Sequence, residues 1–165
     1  MFMLQATAQP VLFLQPQGKL LLLAHALMAI LLLGSMTHNC LITLRYLGGH
    51  FAKIRLEKLY VKVAFVAYLL SFGLGSLIYP NYRYHVRARY FDQTMPWASQ
   101  LFDIKEHWTG IGLALFIVFF LFSLILNPKE DRTPLFVYVF LSLSLTLIVW
   151  FALISGLLLS SYRSV

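Results

Sequence analysis

The sequence predicts an all-α integral membrane protein, an up-down bundle of four transmembrane helices that forms one domain over residues 1–165. Hydrophobic residues make up 60% of the chain and charged residues 12%, about half the charged fraction of an ordinary soluble domain. A helix needs roughly 20 apolar residues to cross a bilayer core of about 30 Å. Four stretches meet that length, at about residues 20–44, 59–79, 104–126 and 135–159.

The N-terminal segment, residues 1–19, is apolar but too short to cross a membrane. It contains no Lys or Arg before Lys19, and no small-residue cleavage pattern follows the first span, so a cleaved secretory signal is not expected. We expect this segment to lie in the membrane interface, with the first span following it between Lys19 and Arg45.

The second span is expected to stop at Pro80, because proline lacks a backbone N–H and its ring clashes with the preceding turn. Residues 80–103 then form an Arg/Tyr-rich loop. Asp103 and Glu106 stand three residues apart just before the third apolar run, which is the spacing of a capping box. The third span is therefore expected to begin near Asp103.

Two prolines set the remaining boundaries. Asn127 precedes Pro128 and should end the third span, since a residue before proline is disfavoured in the helical region. Thr133 and Pro134 suit the N-cap and first position of the fourth helix. Because this connection and residues 47–58 are both short, spans one and two and spans three and four should form hairpins.

The distribution of basic residues predicts the orientation. Cytoplasmic loops are enriched in Lys and Arg, and the two hairpin loops carry slightly more of them than the opposite side. We therefore expect a multi-pass protein of an inner or cytoplasmic membrane, with cytoplasmic hairpins and both termini outside. The seven on the hairpin side are Arg45, Lys53, Arg55, Lys58, Lys62, Lys129 and Arg132; the six opposite are Lys19, Arg83, Arg87, Arg89, Lys105 and Arg163.

Several classes of function have no motif in this chain. There is one cysteine, Cys40, and no CxxCH haem attachment, HExxH metal motif or Gly-rich phosphate loop. Nucleic acid is not expected as a partner, because the basic residues lie at membrane boundaries, where they contact phospholipid headgroups. All six acids are expected in loops or at helix ends, which disfavours the weakest alternative, a metal or small-solute transporter.

Histidines supply the main alternative to a structural role. His25 in span one and His107 at the start of span three are expected on the same side of the membrane, and facing imidazoles can hold a haem b in a bundle. His38 lies near the other end and has no partner at its depth. Met36 and Cys40, four residues apart, could ligate Cu(I), but both are ordinary packing residues, and the roles of these last three residues stay open.

The loop of residues 80–103 has the composition of a protein interface. Arg, Tyr and Trp are enriched both at binding hot spots and, for the aromatic residues, in membrane interface belts. Both interpretations stay open, and the residues expected to dock on a partner are Arg83, Tyr84, Arg87, Arg89, Tyr90 and Trp97.

These observations favour a small integral subunit of a larger energy-transducing complex, respiratory or photosynthetic, with a mainly structural and docking role and no independent catalytic activity. Its partners would be other membrane subunits and phospholipid. The alternative is an electron-transfer subunit with one haem b held by His25 and His107, exchanging electrons with quinone near Tyr82, Arg83 and His85. The four-span layout with these histidines resembles, at the level of the fold alone, membrane b-type cytochromes and haem-bearing anchor subunits of respiratory complexes.

Overall fold

The computed structural model describes residues 13–130 and 132–164. It contains four long helices: α1 (Gly18–Leu47), α2 (Ile54–Asn81), α3 (Pro96–Ile125) and α4 (Arg132–Tyr162). No strand occurs in the described part of the chain. Most of the predicted interfacial segment, residues 1–12, lies outside the described residues; a short 3₁₀ turn, Gln15–Gln17, leads into α1.

Each helix is long enough to cross a membrane. They contain 28 to 31 residues, which at 1.5 Å per residue is about 42–46 Å. That exceeds the roughly 30 Å hydrocarbon core of a bilayer. The described structure confirms an all-helical fold with four helices that are long and apolar enough to span a membrane.

The four helices run alternately up and down. The packed neighbours are α1 with α2, α2 with α3, α3 with α4, and α4 with α1, so α1 and α3 are diagonal. We call the end where α1 begins and α4 ends the terminal end, and the end with the two short connections the hairpin end. The connection between α1 and α2 turns at Gly49, whose φ of +78° lies in the left-handed region that favours glycine.

The prediction that the second helix stops at Pro80 was wrong. α2 continues through Pro80 to Asn81, and a π-helical segment, Tyr82–Phe91, follows it directly. A helix can pass a proline where neighbouring groups and local π-type adjustments satisfy the freed backbone groups. The region predicted as a loop is therefore mostly helical, with a single turn, Asp92–Thr94, before α3.

The predicted capping box at Asp103 was also wrong. α3 begins at Pro96, since proline at the first helical position loses no hydrogen bond. Asp103 lies in the second turn and receives two hydrogen bonds from the Arg87 guanidinium, one of them 2.9 Å from Nη2 to Oδ2. The carboxylate therefore fastens the π-helical segment to α3.

The other boundaries agree with the prediction to within a few residues. α3 ends at Ile125, ahead of Pro128, and α4 begins at Arg132 with Pro134 in its first turn. The short connection places Phe119 of α3 against Tyr138 of α4, with ring centroids 4.6 Å apart. Both hairpins predicted from the apolar runs are present.

Two apolar clusters hold the bundle together. The larger one fills the hairpin half and includes the fully buried rings of Tyr46 and Phe116. The smaller one, at the terminal end, contains Val86 and Phe91 of the π-helical segment packed with Phe102 of α3. Helices in membranes associate through close packing of this kind, so the π-helical segment is an integral part of the bundle.

Candidate functional site

A buried carboxyl group lies in the hairpin half of the bundle. Glu57, in the first turn of α2, is 1% exposed. Its Oε1 accepts a hydrogen bond from the Tyr138 hydroxyl of α4 and another, 3.0 Å long, from the Asn39 amide of α1. A single carboxyl group therefore ties three helices together.

The contacts of Asn39 extend this network. Its Oδ1 accepts a 2.7 Å hydrogen bond from Ser142, which in turn accepts one of 3.2 Å from Thr43. All five side chains of the network are buried. Buried polar groups lose free energy unless they are hydrogen-bonded, and here the donors and acceptors of α1, α2 and α4 supply each other's partners.

The expectation that every acid lies in a loop or at a helix end was wrong for two residues. Asp103 and Glu106 lie in the second and third turns of α3 because that helix begins at Pro96. Glu57 is at a helix end, as expected, but it is buried inside the bundle. Charged residues mark helix boundaries only when they face water or headgroups. The transporter stays the weakest alternative among the predictions.

A cavity of about 430 Å³ separates the four helices in the terminal half. Ligand pockets are typically about 300–1,000 Å³ with mainly apolar walls and a few polar groups. The walls of this bundle cavity are mainly apolar, and its polar lining residues are His25, Tyr68, Ser71, Ser76, Tyr79, Tyr82, Lys105, Glu106, Thr109 and Ser160.

His25 is oriented by a contact across the helix interface. Its Nδ1 lies 2.9 Å from the carbonyl oxygen of Ser71 in α2. Because a carbonyl only accepts, Nδ1 carries the proton, and Nε2 of a neutral ring is left as an acceptor. Gly75 makes the room, since a Cβ there would lie 3.3 Å from His25 Cε1.

Lys105 and Glu106 place opposite charges at the same cavity. Among the described residues the ion pairs within 4 Å all involve Arg87, so neither side chain is paired there with the other or with a third group. The Lys105 ammonium lies 5.8 Å from the Phe102 ring centroid. Gly156 of α4 accommodates it, because a Cβ at that position would approach Nζ to 3.3 Å.

Tyr82 brings a third polar group to the cavity wall. Its hydroxyl is buried and has no hydrogen-bond partner among the described residues. Buried hydroxyl groups are almost always hydrogen-bonded. The Tyr82 hydroxyl thus adds a buried, unsatisfied donor to a cavity that Lys105 and Glu106 also line.

The structure does not bring the two predicted haem histidines together. His25 lines the bundle cavity, whereas His107 is exposed and its Nδ1 lies 2.7 Å from the Asp103 carbonyl within α3. The side chains of α3 that reach the cavity at this level are Lys105 and Glu106. The haem assignment stays a prediction.

The three other residues considered as possible metal or haem ligands have packing contacts. His38 bonds to the Gly34 carbonyl at 2.7 Å and stacks on Tyr60. Met36 and Cys40 are buried in the bundle. In the part of the chain that the structure describes, no group of three or more His, Cys, Asp and Glu side chains is arranged to hold a metal ion.

Three of the predicted docking residues have contacts within the bundle, although Trp97 is itself 44% exposed. Arg87 pairs with Asp103 and Asp92, Tyr90 lies under the Arg163 guanidinium, and Trp97 meets the Tyr162 ring edge-on. Arg83 and Arg89 point outward from the same segment, and Arg89 donates a 2.9 Å hydrogen bond to the Tyr84 hydroxyl. We call Arg83, Tyr84 and Arg89 the cationic patch.

Of the residues predicted near a quinone, only Tyr82 lines the bundle cavity. Arg83 lies over the Tyr79 ring, 6.0 Å from its centroid. His85 Nε2 is buried without a hydrogen-bond partner among the described residues. The quinone prediction therefore shares one residue with the cavity.

Sequence reasoning missed Glu57, Lys105 and Glu106, although a signal was present. Residues 57, 61, 64, 68 and 71 recur at the helical spacing of three and four and lie on one buried stripe of α2. Residues 102, 105, 109, 112 and 116 follow the same spacing in α3. A search for helical stripes that include a charge would have found both sites.

Comparisons with protein families, curated proteins and solved structures found no significant match to this chain.

Proposed function

We propose that this protein is a small multi-pass subunit of a larger energy-transducing membrane assembly, with a mainly structural and docking role. The cationic patch is the observation that carries this proposal. The buried Val86 and Phe91 and the bond between Arg87 and Asp103 hold its backbone against α3. A patch whose side chains are ordered before binding loses less conformational entropy when a partner docks, and Arg and Tyr are the residue types enriched at binding hot spots.

Replacing all three residues of the cationic patch with alanine should release the protein from its complex. Hot-spot side chains typically cost about 2 kcal/mol or more on truncation, whereas an Arg that only contacts headgroups contributes about 1 kcal/mol. The apolar helices are unchanged, so the variant stays in the membrane fraction. The measurement is co-purification of the partner subunits in mild detergent.

A matched control removes the same positive charge from the hairpin end. Arg45→Ala with Arg55→Ala alters two exposed arginines and should leave co-purification intact. If the triple variant keeps its partners as well as this control does, the patch is a headgroup-binding surface and the docking proposal is wrong.

The orientation proposed with this function has both hairpin loops in the cytoplasm, because the first hairpin concentrates basic residues beside two helices. A cysteine in place of the exposed His50 should react with an impermeant thiol reagent only after the cells are opened. Cys40 is buried, so the added thiol is the accessible one. Labelling from outside intact cells would reverse the orientation.

The second candidate function is electron transfer, and the bundle cavity favours it. His25 donates from Nδ1 to a backbone carbonyl and leaves Nε2 available, the arrangement that orients imidazoles toward a ligand. If a haem b is bound, an oxidised-minus-reduced spectrum shows it, and His25→Ala and His107→Ala each abolish the signal while His38→Ala keeps it. A featureless spectrum, or loss of the signal in His38→Ala alone, overturns the haem assignment.

A further inference from the structure

The bundle cavity combines apolar walls with polar groups that have no partner within the protein. Lys105 has no carboxylate oxygen within 4 Å among the described residues, and the Tyr82 hydroxyl has no hydrogen-bond partner there. Leaving the buried Tyr82 hydroxyl unsatisfied is unfavourable, and the partly exposed Lys105 side chain has free donors at the same cavity. A bound molecule that accepts hydrogen bonds from both would remove that cost.

The charge of the cavity selects a neutral head group. Lys105 is a basic and Glu106 an acidic side chain, and both line the same space. A fatty-acid carboxylate or lipid phosphate placed beside Lys105 would be repelled by the Glu106 carboxylate, because two like charges at short range in a weakly polar site interact strongly. A neutral head with both donor and acceptor oxygens satisfies the two side chains together.

His25 adds a requirement for a donor on the ligand. Its Nδ1 proton is engaged by Ser71, so Nε2 of the neutral ring can only accept. The site therefore offers donors from Lys105 and Tyr82 and an acceptor from His25. Aromatic diols match this pattern, since each of their two hydroxyl oxygens can both donate and accept.

The walls fit an apolar tail attached to that head. Phe72 and Gly110 line the cavity and are also exposed, so the cavity is open to the surroundings of the bundle. A Cβ at Gly110 would meet no atom within 4 Å, which leaves space on the α3 side.

We propose that the bundle cavity binds the head group of an isoprenoid quinol, with His25 accepting a hydrogen bond from one hydroxyl and Lys105 donating one to the oxygen at the other end of the ring. This inference deepens the electron-transfer proposal and does not require the haem. The proposed site is His25, Tyr82, Lys105 and Glu106, which differs from the earlier expectation of a quinone beside Arg83 and His85.

The test is photolabelling with a short-tail azidoquinol, the reduced form that carries both hydroxyl groups, using the full chain in nanodiscs of zwitterionic phosphatidylcholine. The labelled peptides should come from the cavity walls, and excess decylubiquinol should suppress labelling while oleate does not. Gly110→Phe adds a ring at the α3 wall of the cavity and should lower the labelling yield at least about tenfold, equivalent to a loss of roughly 1.4 kcal/mol. Gly73→Phe, a matched change at an exposed glycine with no atom within 4 Å, should keep the yield within about twofold.

A second variant tests the proposal even if the Gly110→Phe protein does not fold. Lys105→Gln replaces the ammonium by a neutral amide donor and should lower the yield about fivefold, because a hydrogen bond from a neutral donor contributes about 1 kcal/mol less than one from a charged donor. Equal labelling in the wild type, Gly110→Phe and Lys105→Gln, or suppression by oleate as strong as by decylubiquinol, overturns the proposal. The b-type spectrum tests the haem assignment separately, so the haem and the quinol site are each contradicted by a different measurement.

Discussion

Replacing Glu57 with methionine should lower the free energy of unfolding by about 3 kcal/mol, because a buried donor left without an acceptor costs about 1–3 kcal/mol. Methionine has nearly the same length but accepts no strong hydrogen bond, so the Tyr138 hydroxyl and the Asn39 amide both lose their acceptor. Glu57→Gln leaves an acceptor oxygen at the same place and should lower the free energy of unfolding by less than Glu57→Met does. The measurement is reversible unfolding in SDS, followed by far-UV circular dichroism.

The controls for Glu57 separate burial from charge. Glu130→Met removes an exposed acid from the connection between α3 and α4 and should change stability by less than about 0.5 kcal/mol. In a Tyr138→Phe background one of the two donors to Glu57 is absent. Glu57→Met should therefore lower the free energy of unfolding by less there than it does in the wild type. A Glu57→Met protein as stable as the Glu130→Met protein would contradict the network.

The four long helices could be predicted because apolar length is a local property of the sequence. Each run of about 20 apolar residues needs no knowledge of its neighbours to be recognised. The helix boundaries predicted around residues 80–103 were wrong because two prolines have different effects. Pro96 begins α3, whereas Pro80 lies inside a continuing helix, and only the surroundings of the freed carbonyl decide between these outcomes.

The candidate sites were harder to predict, because they depend on which helices face each other. Glu57 is buried only because Asn39 and Tyr138 come from two other helices to meet it. Likewise His25 was found from its position in span one, but its neighbours at the cavity are Lys105 and Glu106, not His107. Successive residues of a helix point about 100° apart, and the prediction paired His25 with His107 by depth alone. Depth does not tell which face of α3 meets the cavity, so the wrong partner was chosen.

Introducing a single methyl group at Gly112 should destabilise the protein by about 2 kcal/mol, within the range that overpacking a core costs. Gly112 of α3 is buried, and a Cβ there would overlap the Tyr68 hydroxyl and lie 3.1 Å from Ile148 Cγ2 of α4. The Tyr68 hydroxyl cannot move away freely, since it donates a 2.8 Å hydrogen bond to the Thr109 carbonyl. Gly112→Ala is therefore expected to push α3 away from both neighbours, and its unfolding in SDS should begin at a lower detergent fraction.

Gly110 provides the matched comparison one half-turn away on the same helix. Its added Cβ meets nothing within 4 Å, so Gly110→Ala should be neutral or stabilising by up to about 1 kcal/mol through the higher helix propensity of alanine. In a Tyr68→Phe background the overlapping hydroxyl is gone, and Gly112→Ala should cost about 1 kcal/mol less than in the wild type. Equal stability of the Gly110→Ala and Gly112→Ala proteins would show that α3 does not approach α2 and α4 as closely as the packing around Gly112 requires.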